Sequence, residues 1–174
     1  PPVAVRRQRQ MCIRDRFLIL PINYAFSENL NKAYFAGGCF WCMEESFEKL
    51  EGVKEVISGY SGGTTSNPTY KEVTFGDTGH FEVVEIIYNN NIISYNELLK
   101  NFWINIDPFD AFGQFCDKGY SYRSVAFYRS PYEKSQIEKS ISEIENKFAK
   151  RVVTYVREFE VFYKAEDKLS LIHI

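Results

Sequence analysis

The sequence predicts an α+β fold, namely a two-layer α/β sandwich with a ferredoxin-like core and a mixed sheet. The first observation behind this prediction is the order of apolar patterns along the chain, which runs β-α-β-β-α-β-α-β. The second is composition, because 174 residues, 45% of them hydrophobic, suffice for one domain around one core. An alternating βαβ domain with a purely parallel sheet is the alternative.

The first part of the predicted domain contains three strands and one helix. The strands are expected at residues 32–36, 53–60 and 81–88. The first strand breaks at Gly37-Gly38, and apolar residues then recur at helical spacing until Gly52. Residues 61–70, rich in Gly, Thr, Ser and Asn, are predicted to form a loop long enough to carry function.

The second part contains two further helices. Ser94 and Glu97 form a capping-box signal ahead of an apolar helix that extends to Ile106. Ser130-Pro131-Tyr132-Glu133 combines an N-cap, a proline at the first helical position and a capping glutamate, which predicts the third helix. A polar and aromatic loop, a strand and a closing β-rich segment are expected at residues 107–122, 123–128 and 152–163.

We expect three parts along the chain: an N-terminal extension at residues 1–30, the folded domain at residues 31–167, and a foreign or truncated tail at residues 168–174. The extension combines an arginine-rich stretch, which looks foreign to the domain, with an apolar run at residues 17–27. That run has the length of a secretory h-region. If it is a signal-peptide remnant the protein is periplasmic or secreted, and if it is an arm packed on the domain the protein is cytoplasmic.

Charge and hydropathy exclude two classes of partner. A formal net charge of -2 gives no long-range field that would attract nucleic acid or an anionic membrane surface. No apolar run is long enough to span a bilayer. We also expect a monomer, because nothing in the sequence indicates an oligomer.

Cys39 is the candidate nucleophile, because it lies between a predicted strand and the first turn of a predicted helix. The helix N-terminus stabilises a thiolate, so we expect a pKa below about 8.5. Gly37 and Gly38 allow a tight turn and close approach of a substrate. A buried structural cysteine packed beside Phe40 and Trp41 is the alternative.

Glu82 is the candidate general acid. In the strand 81–88 it shares parity with Val84 and Ile86, so its carboxyl group is expected on an apolar face. Burial there would raise its pKa and keep it partly protonated near neutrality, as a general acid requires. A strand-end carboxylate turned to solvent is the alternative.

Six segments together resemble the A-type peptide methionine sulfoxide reductases in order and spacing. They cover about residues 33–167. The segments are Gly37-Gly38-Cys39-Phe40-Trp41, Gly59-Tyr60, Asn67-Pro68-Thr69-Tyr70, Gly79-His80-Phe81-Glu82-Val83-Val84, Asp107-Pro108 and Asp117-Lys118-Gly119-Tyr120-Ser121-Tyr122-Arg123-Ser124. A ferredoxin-like fold and repair of oxidised proteins are what this resemblance implies.

The resemblance implies the reaction as well. The Cys39 thiolate would attack the sulfur of methionine sulfoxide while Glu82 protonates the departing oxygen, releasing methionine and leaving a sulfenic acid on Cys39. Preference for the S epimer, and action on both free and peptide-bound methionine sulfoxide, are implied in the same way.

Five further residues receive roles from the resemblance, which are catalytic for two tyrosines and substrate-binding for the other three. Tyr70 and Tyr122 would hydrogen-bond the sulfoxide oxygen and hold the acid in place. Phe40 and Trp41 would form an apolar slot for the S-methyl group. Asp117 would bind the substrate backbone or order the site. Ordinary packing of the tyrosines and a turn role for Asp117 are the alternatives.

Regeneration of the Cys39 thiol from its sulfenic acid needs a second thiol. We expect no bound cofactor and no metal. The resemblance implies recycling cysteines near the C-terminus and an external thiol reductant such as thioredoxin, but no cysteine follows Cys116. Three routes remain: loss of the natural C-terminus, direct recycling by an external thiol, or resolution by Cys42 or Cys116. Cys42 completes a C-x-x-C spacing with Cys39.

Three other functions are compatible with these residues. A thioredoxin-like disulfide oxidoreductase would use Cys39 and Cys42 and would not need Glu82. A non-catalytic ferredoxin-like interaction domain would need none of them. A zinc-binding module would use Cys39, Cys42, Cys116 and His80, although their spacing lacks a second paired knuckle, and a structural role is the simpler interpretation of His80.

Overall fold

The computed structural model describes residues 29–166, so nearly all of the predicted extension, and the tail at residues 168–174, lie outside the described residues. The strands are β1 (Leu30–Ala36), β2 (Val53–Ser61), β3 (Phe81–Asn89), β4 (Gly113–Gln114), β5 (Asp117–Lys118), β6 (Val125–Tyr128), β7 (Tyr155–Glu158) and β8 (Tyr163–Lys164). The helices are α1 (Phe40–Glu48), α2 (Tyr70–Phe75), α3 (Tyr95–Ile104) and α4 (Pro131–Phe148), and residues 120–122 form a 3-10 turn.

Six strands form one mixed sheet in the order β7-β6-β1-β3-β2-β8. The four central strands, β6-β1-β3-β2, pair antiparallel throughout. Together with α1 and α3 they make the βαββαβ arrangement of a ferredoxin-like core. The parallel pair β6-β7 makes the sheet mixed. The predicted α+β class and mixed sheet are confirmed.

The two faces of the sheet are buried in different ways. Phe35 of β1 and Val84 of β3 face the helices and join the larger core cluster, which includes Phe40 and Phe47 of α1. The opposite parity faces a smaller cluster on the other side, which the C-terminal segment covers through partly buried aromatic rings. This alternation follows from the two-residue period of a strand. It places Glu82, which has the parity of Val84, on the helical side.

Helix caps account for where the helices begin. The Ser94 side chain accepts from the Glu97 backbone N–H, and Glu97 accepts from the Ser94 backbone N–H, which confirms the predicted capping box of α3. Ser130 caps α4, with Pro131 at its first position as predicted. Among residues 29–166, no helix combines the length and the apolar character needed to cross a membrane.

The structure differs from the predicted elements in the loops. The predicted loop 61–70 ends at Thr69, which caps the short helix α2 with a capping box to Glu72. The sequence did not indicate α2, since only Val73 in its six residues is buried. The predicted loop 107–122 contains the β4-β5 hairpin and the 3-10 turn. The closing segment supplies both edge strands, with β7 beside β6 and β8 beside β2.

Candidate active site

A strand, a tight turn and a helix N-terminus position Cys39. β1 ends at Ala36, and Cys39 is the N-cap of α1. Gly38 has φ +87°, and a Cβ there would lie 2.7 Å from the Gln114 side chain. A Cβ on Gly37 would lie 2.5 Å from the sulfur of Met43. Both glycines are therefore required by backbone conformation or by close packing around the thiol.

The thiol of Cys39 is less acidic than an ordinary cysteine. Partial burial raises its pKa to about 11, and the charges of Glu82 and Cys42 act in the same direction. The backbone N–H groups of Trp41 and Cys42 point toward the sulfur and oppose this shift, although neither forms a cap hydrogen bond. The expectation of a lowered pKa is therefore wrong for the free enzyme, because desolvation outweighs the helix N-terminus.

Glu82 lies beside the same helix N-terminus. Its side chain is buried, and the backbone N–H of Phe40 donates to Oε2 at 3.1 Å. No donor within residues 29–166 forms a hydrogen bond to Oε1. Burial raises the Glu82 pKa to about 7, while the Phe40 N–H and the Tyr122 hydroxyl lower it and the charge of Asp117 raises it. The carboxyl orientation and raised pKa predicted from strand parity are confirmed.

Three tyrosines surround this carboxyl group. Tyr60 on β2 is the cross-strand neighbour of Glu82. Tyr70 begins α2 and stacks on Trp41 with ring centroids 6.3 Å apart. Burial raises the pKa of Tyr122, and Glu82 and Tyr70 raise it further. The structure thus brings the predicted residues Tyr70 and Tyr122 together with Glu82.

Tyr60 and Glu166 belong to this cluster but were not predicted as site residues. The Tyr60 hydroxyl donates to Glu166 Oε2 at 3.1 Å, and the Tyr70 backbone N–H donates to Oε1 at 2.9 Å. Burial raises the pKa of Tyr60, with Glu166 as the next cause. Tyr60 occurs in one of the six matched segments, so the sequence did contain a signal for it. Glu166 had none, because its partners lie about 100 residues earlier.

The thiol opens into a pocket of about 290 Å³, which we call the Cys39 pocket. Its lining residues include Cys39, Cys42, Ile104, Phe115 and Asp117. The structure therefore brings Asp117, from the β4-β5 hairpin, to the nucleophile as predicted.

The two predicted slot residues differ in accessibility. Phe40 is fully buried in the core, with its ring centroid 5.3 Å from that of Trp41. Trp41 is only half-buried. Trp41 can therefore present an apolar surface to a ligand, whereas the buried ring of Phe40 packs against Trp41 on the core side.

The two predicted resolving cysteines occupy different positions. Cys42 lies exposed in the first turn of α1 and lines the Cys39 pocket. Cys116 lies exposed in the turn of the β4-β5 hairpin, between two lining residues. Among the described residues, Cys39, Cys42 and Cys116 form no disulfide with one another.

His80 is a structural residue. Its Nδ1 accepts from the Gly63 backbone N–H at 3.1 Å, and its Nε2 lies 2.7 Å from the Thr65 carbonyl oxygen. Both ring nitrogens are therefore used to hold the loop after β2. Within residues 29–166, no three His, Cys, Asp or Glu side chains meet in a metal-binding group.

A partly buried thiol next to a buried, protonatable carboxyl group, on an α+β ferredoxin-like domain, defines the class of thiol-dependent oxidoreductases. The family model for peptide methionine sulfoxide reductase matches residues 31–170. The chain belongs to this family of enzymes, which confirms the resemblance. The competing disulfide oxidoreductase assignment is not favoured.

Three known proteins illustrate the relationship. The peptide methionine sulfoxide reductase MsrA of Streptococcus agalactiae is 47% identical over 140 residues, covering 79% of this chain and 83% of that protein. The reduced form of Mxr1 from Saccharomyces cerevisiae is 30% identical, with a TM-score of 0.74 and coverage of 79% and 81%. Mxr1 in complex with Trx2 matches at 22% identity and a TM-score of 0.59, covering 80% and 83%, which supports the fold alone.

Proposed function

We propose that this enzyme reduces the S epimer of methionine sulfoxide, free or within a polypeptide, through Cys39 and Glu82. The observation that carries the mechanism is the Glu82 carboxyl group, which is buried beside the thiol, has a pKa near 7 and has no donor to Oε1 in the described part of the chain. A sulfoxide oxygen placed at Oε1 would accept its proton there. The helix N-terminus serves both groups, since Phe40 N–H binds Oε2.

The proposed reaction moves one oxygen atom, in net terms, from the sulfoxide to Cys39. The Cys39 sulfur forms a bond to the sulfoxide sulfur, and the protonated oxygen leaves as water when the S–O bond breaks. Water then attacks the Cys39 sulfur, the S–S bond breaks with its electron pair going to the methionine sulfur, and a sulfenic acid is left on Cys39. The thiol is oxidised and the sulfoxide is reduced to methionine. Because the free thiol has a pKa of about 11, it holds a proton at neutral pH, and an ionised Glu82 can take that proton and pass it to the oxygen.

The surrounding residues would orient the substrate. The Tyr122 side chain interacts with both Glu82 and Tyr70, and the two tyrosine hydroxyls would hydrogen-bond the sulfoxide oxygen. The exposed part of Trp41 would contact the S-methyl group, with Phe40 behind it. Asp117, which lines the Cys39 pocket, would bind the substrate backbone or order the site.

Single-turnover release of methionine tests this proposal. Wild type, Cys39→Ser and Glu82→Gln are mixed with S- and R-sulfoxide peptides without added reductant. We expect about one equivalent of methionine from the S epimer with wild type, none with Cys39→Ser, and release at least about 100-fold slower with Glu82→Gln. Equal rates for Glu82→Gln and wild type would rule out Glu82 as the acid. No release by folded wild type would rule out the activity.

We propose that an external thiol reductant of the thioredoxin type completes the cycle, after Cys42 condenses with the Cys39 sulfenic acid. Cys42 shares the pocket and is exposed, which supports this order of events. Yeast Mxr1, whose reduced form is 30% identical to this chain, has also been solved in complex with Trx2, and this supports a protein reductant.

Thiol counting after one turnover tests the recycling route. Cys42→Ser should retain a sulfenic acid that a dimedone probe traps, whereas Cys116→Ser should form the same disulfide as wild type. A disulfide that persists in Cys42→Ser and disappears in Cys116→Ser would assign the resolving role to Cys116. A trapped sulfenic acid in wild type would indicate direct recycling.

We further propose that oxidised proteins and peptides are the substrates and that the enzyme acts as a monomer. It is periplasmic or secreted if residues 17–27 are a signal-peptide remnant, and cytoplasmic otherwise. A reporter fused after residue 30 tests export, and the compartment is periplasmic or extracellular if the reporter crosses the membrane. Retention of the reporter would assign the enzyme to the cytoplasm. Light scattering of the purified enzyme tests the monomer.

A further inference from the structure

An open apolar groove runs between the C-terminal halves of α3 and α4. We call it the α3–α4 groove. It measures about 520 Å³, and its apolar lining is formed mainly by Trp103, Ile104, Phe109, Ile144 and Phe148. Ile104 is 80% exposed and Phe148 is 55% exposed. Adjacent exposed apolar residues of this kind mark interaction sites more often than isolated ones do.

The α3–α4 groove adjoins the Cys39 pocket, because the exposed side chain of Ile104 lines both. Ile106, which also lines the groove, packs against the turn before the nucleophile, since a Cβ on Gly37 would lie 2.9 Å from its side chain. A ligand bound at Cys39 can therefore extend over Ile104 without leaving the apolar surface.

The groove is preformed. The indole N–H of Trp103 donates to Ser140 Oγ at 2.9 Å, which fixes the ring and satisfies its polar atom. Phe109 and Phe148 hold each other edge to face, with ring centroids 5.7 Å apart. A side chain entering the groove would therefore meet ordered apolar walls, with little loss of conformational entropy in the protein.

We propose that the α3–α4 groove binds an apolar side chain of the substrate polypeptide, within about four residues of the methionine sulfoxide. This inference rests on the proposed function. Along α4 the groove extends from Ser140 to Phe148, about 12 Å at 1.5 Å per residue. Because Ile104 lines both sites, a flank that passes over it has at most that length of groove to cover, and an extended peptide does so with about four residues, at roughly 3.3 Å each.

Steady-state kinetics with matched peptides tests the groove. The minimal substrate is N-acetyl methionine S-sulfoxide amide, and the peptides carry one S-sulfoxide with either Leu or Ser at each position up to five residues away. Dithiothreitol serves as the reductant, so protein reductant docking does not contribute. The enzymes are the full chain, its Phe148→Ser variant and the control Ile92→Ser, which truncates a residue 53% exposed in the turn between β3 and α3.

We expect Leu at one position, within about four residues on one side of the methionine sulfoxide, to raise kcat/KM about tenfold over Ser in wild type, from burial of one aliphatic side chain. Phe148→Ser should reduce that gain to below about threefold, leaving the minimal substrate unchanged, and Ile92→Ser should keep the full gain. No positional gain in wild type, or a full gain in Phe148→Ser, would overturn the proposal.

Two other outcomes identify a different occupant. If Phe148→Ser is impaired only when thioredoxin replaces dithiothreitol, the groove binds the reductant and the inference is wrong. If wild type self-associates and Phe148→Ser does not, the occupant is a second copy of the chain. Failure to reduce the minimal substrate would instead remove the proposed function itself. Thermal unfolding of each variant verifies that it is folded.

Discussion

The carboxyl group of Glu82 is held in an environment that disfavours its charged form. Its pKa near 7 lies above its ordinary value of 4.5, because burial outweighs the N–H of Phe40 and the hydroxyl of Tyr122. Between these two pH values the folded protein binds more protons than the unfolded chain. Stability contributed by this residue is therefore present below about pH 4.5 and is lost as the pH rises through about 7.

Glu82→Gln should remove this pH dependence. Gln keeps an acceptor for the Phe40 N–H and carries no charge. The free energy of unfolding of the variant minus that of wild type should therefore be larger at pH 8 than at pH 5, by about 2–3 kcal/mol. Urea unfolding at both pH values measures this difference. A variant with the same stability difference at both pH values would show that Glu82 is ionised without penalty.

The same substitution should make the Cys39 thiol more acidic. The charge of Glu82 is one of the causes that raise the Cys39 pKa to about 11, and Gln removes that charge. The pH dependence of Cys39 alkylation, followed by mass spectrometry at the Cys39 peptide, should therefore move to lower pH in Glu82→Gln. An unchanged or higher midpoint would mean that burial alone sets the pKa.

At the scale of the element, the short helix α2 positions Tyr70 in the site. It has only six residues, and Tyr70 is its first. Thr69→Ala removes the N-cap and should cost about 1 kcal/mol. It should also lower kcat/KM, because Tyr70 is then less well positioned. Ser94→Ala removes the equivalent capping box from α3 and should cost a similar free energy without lowering kcat/KM.

Urea unfolding and steady-state kinetics on the two capping variants measure both quantities. The comparison separates the effect of Tyr70 placement from the effect of overall stability, because the two caps have the same chemistry but only the cap of α2 adjoins the site. Equal kinetic losses in both variants would show that activity follows overall stability instead.

The turn between β1 and α1 depends on the absence of a side chain at Gly38. Gly38→Ala must adopt φ +87° and place a Cβ 2.7 Å from Gln114, whereas Gly79→Ala has φ +71° and meets only a contact at 3.6 Å. Gly79→Ala should cost about 1 kcal/mol from backbone strain, and Gly38→Ala about 2–3 kcal/mol with added displacement of the hairpin. Urea unfolding measures both losses. Similar losses in the two variants would mean that Gln114 moves aside freely.

At the scale of the whole molecule, the site depends on a contact between distant segments. Glu166 accepts hydrogen bonds from Tyr60 on β2 and from the backbone of Tyr70 at the start of α2. Glu166→Ala should therefore lower kcat/KM about tenfold, through loss of hydrogen bonds that hold both tyrosines. Glu166→Gln should recover part of this loss, since its amide retains one acceptor. A loss in unfolding free energy without a kinetic change would make Glu166 purely structural.

Much of this architecture could be predicted because it depends on local patterns. Parity along β3 placed Glu82 on the helical face, and the caps at Ser94 and Ser130 located two helices. The pKa of Cys39 could not be predicted from its place at a helix N-terminus. The burial that raises this pKa comes from elements distant in sequence. Glu166 had no local signal for the same reason, and α2 buries too little to show a period.

The Tyr60–Glu166 contact also has a consequence for biosynthesis. Tyr60 and Glu166 are 106 residues apart along the chain. A ribosome therefore exposes the nucleophile long before the partner that fixes the tyrosines has been synthesised. A nascent chain that has not reached Glu166 carries its thiol without the hydrogen bonds that hold both tyrosines, so full reductase activity requires residue 166 to have left the ribosome.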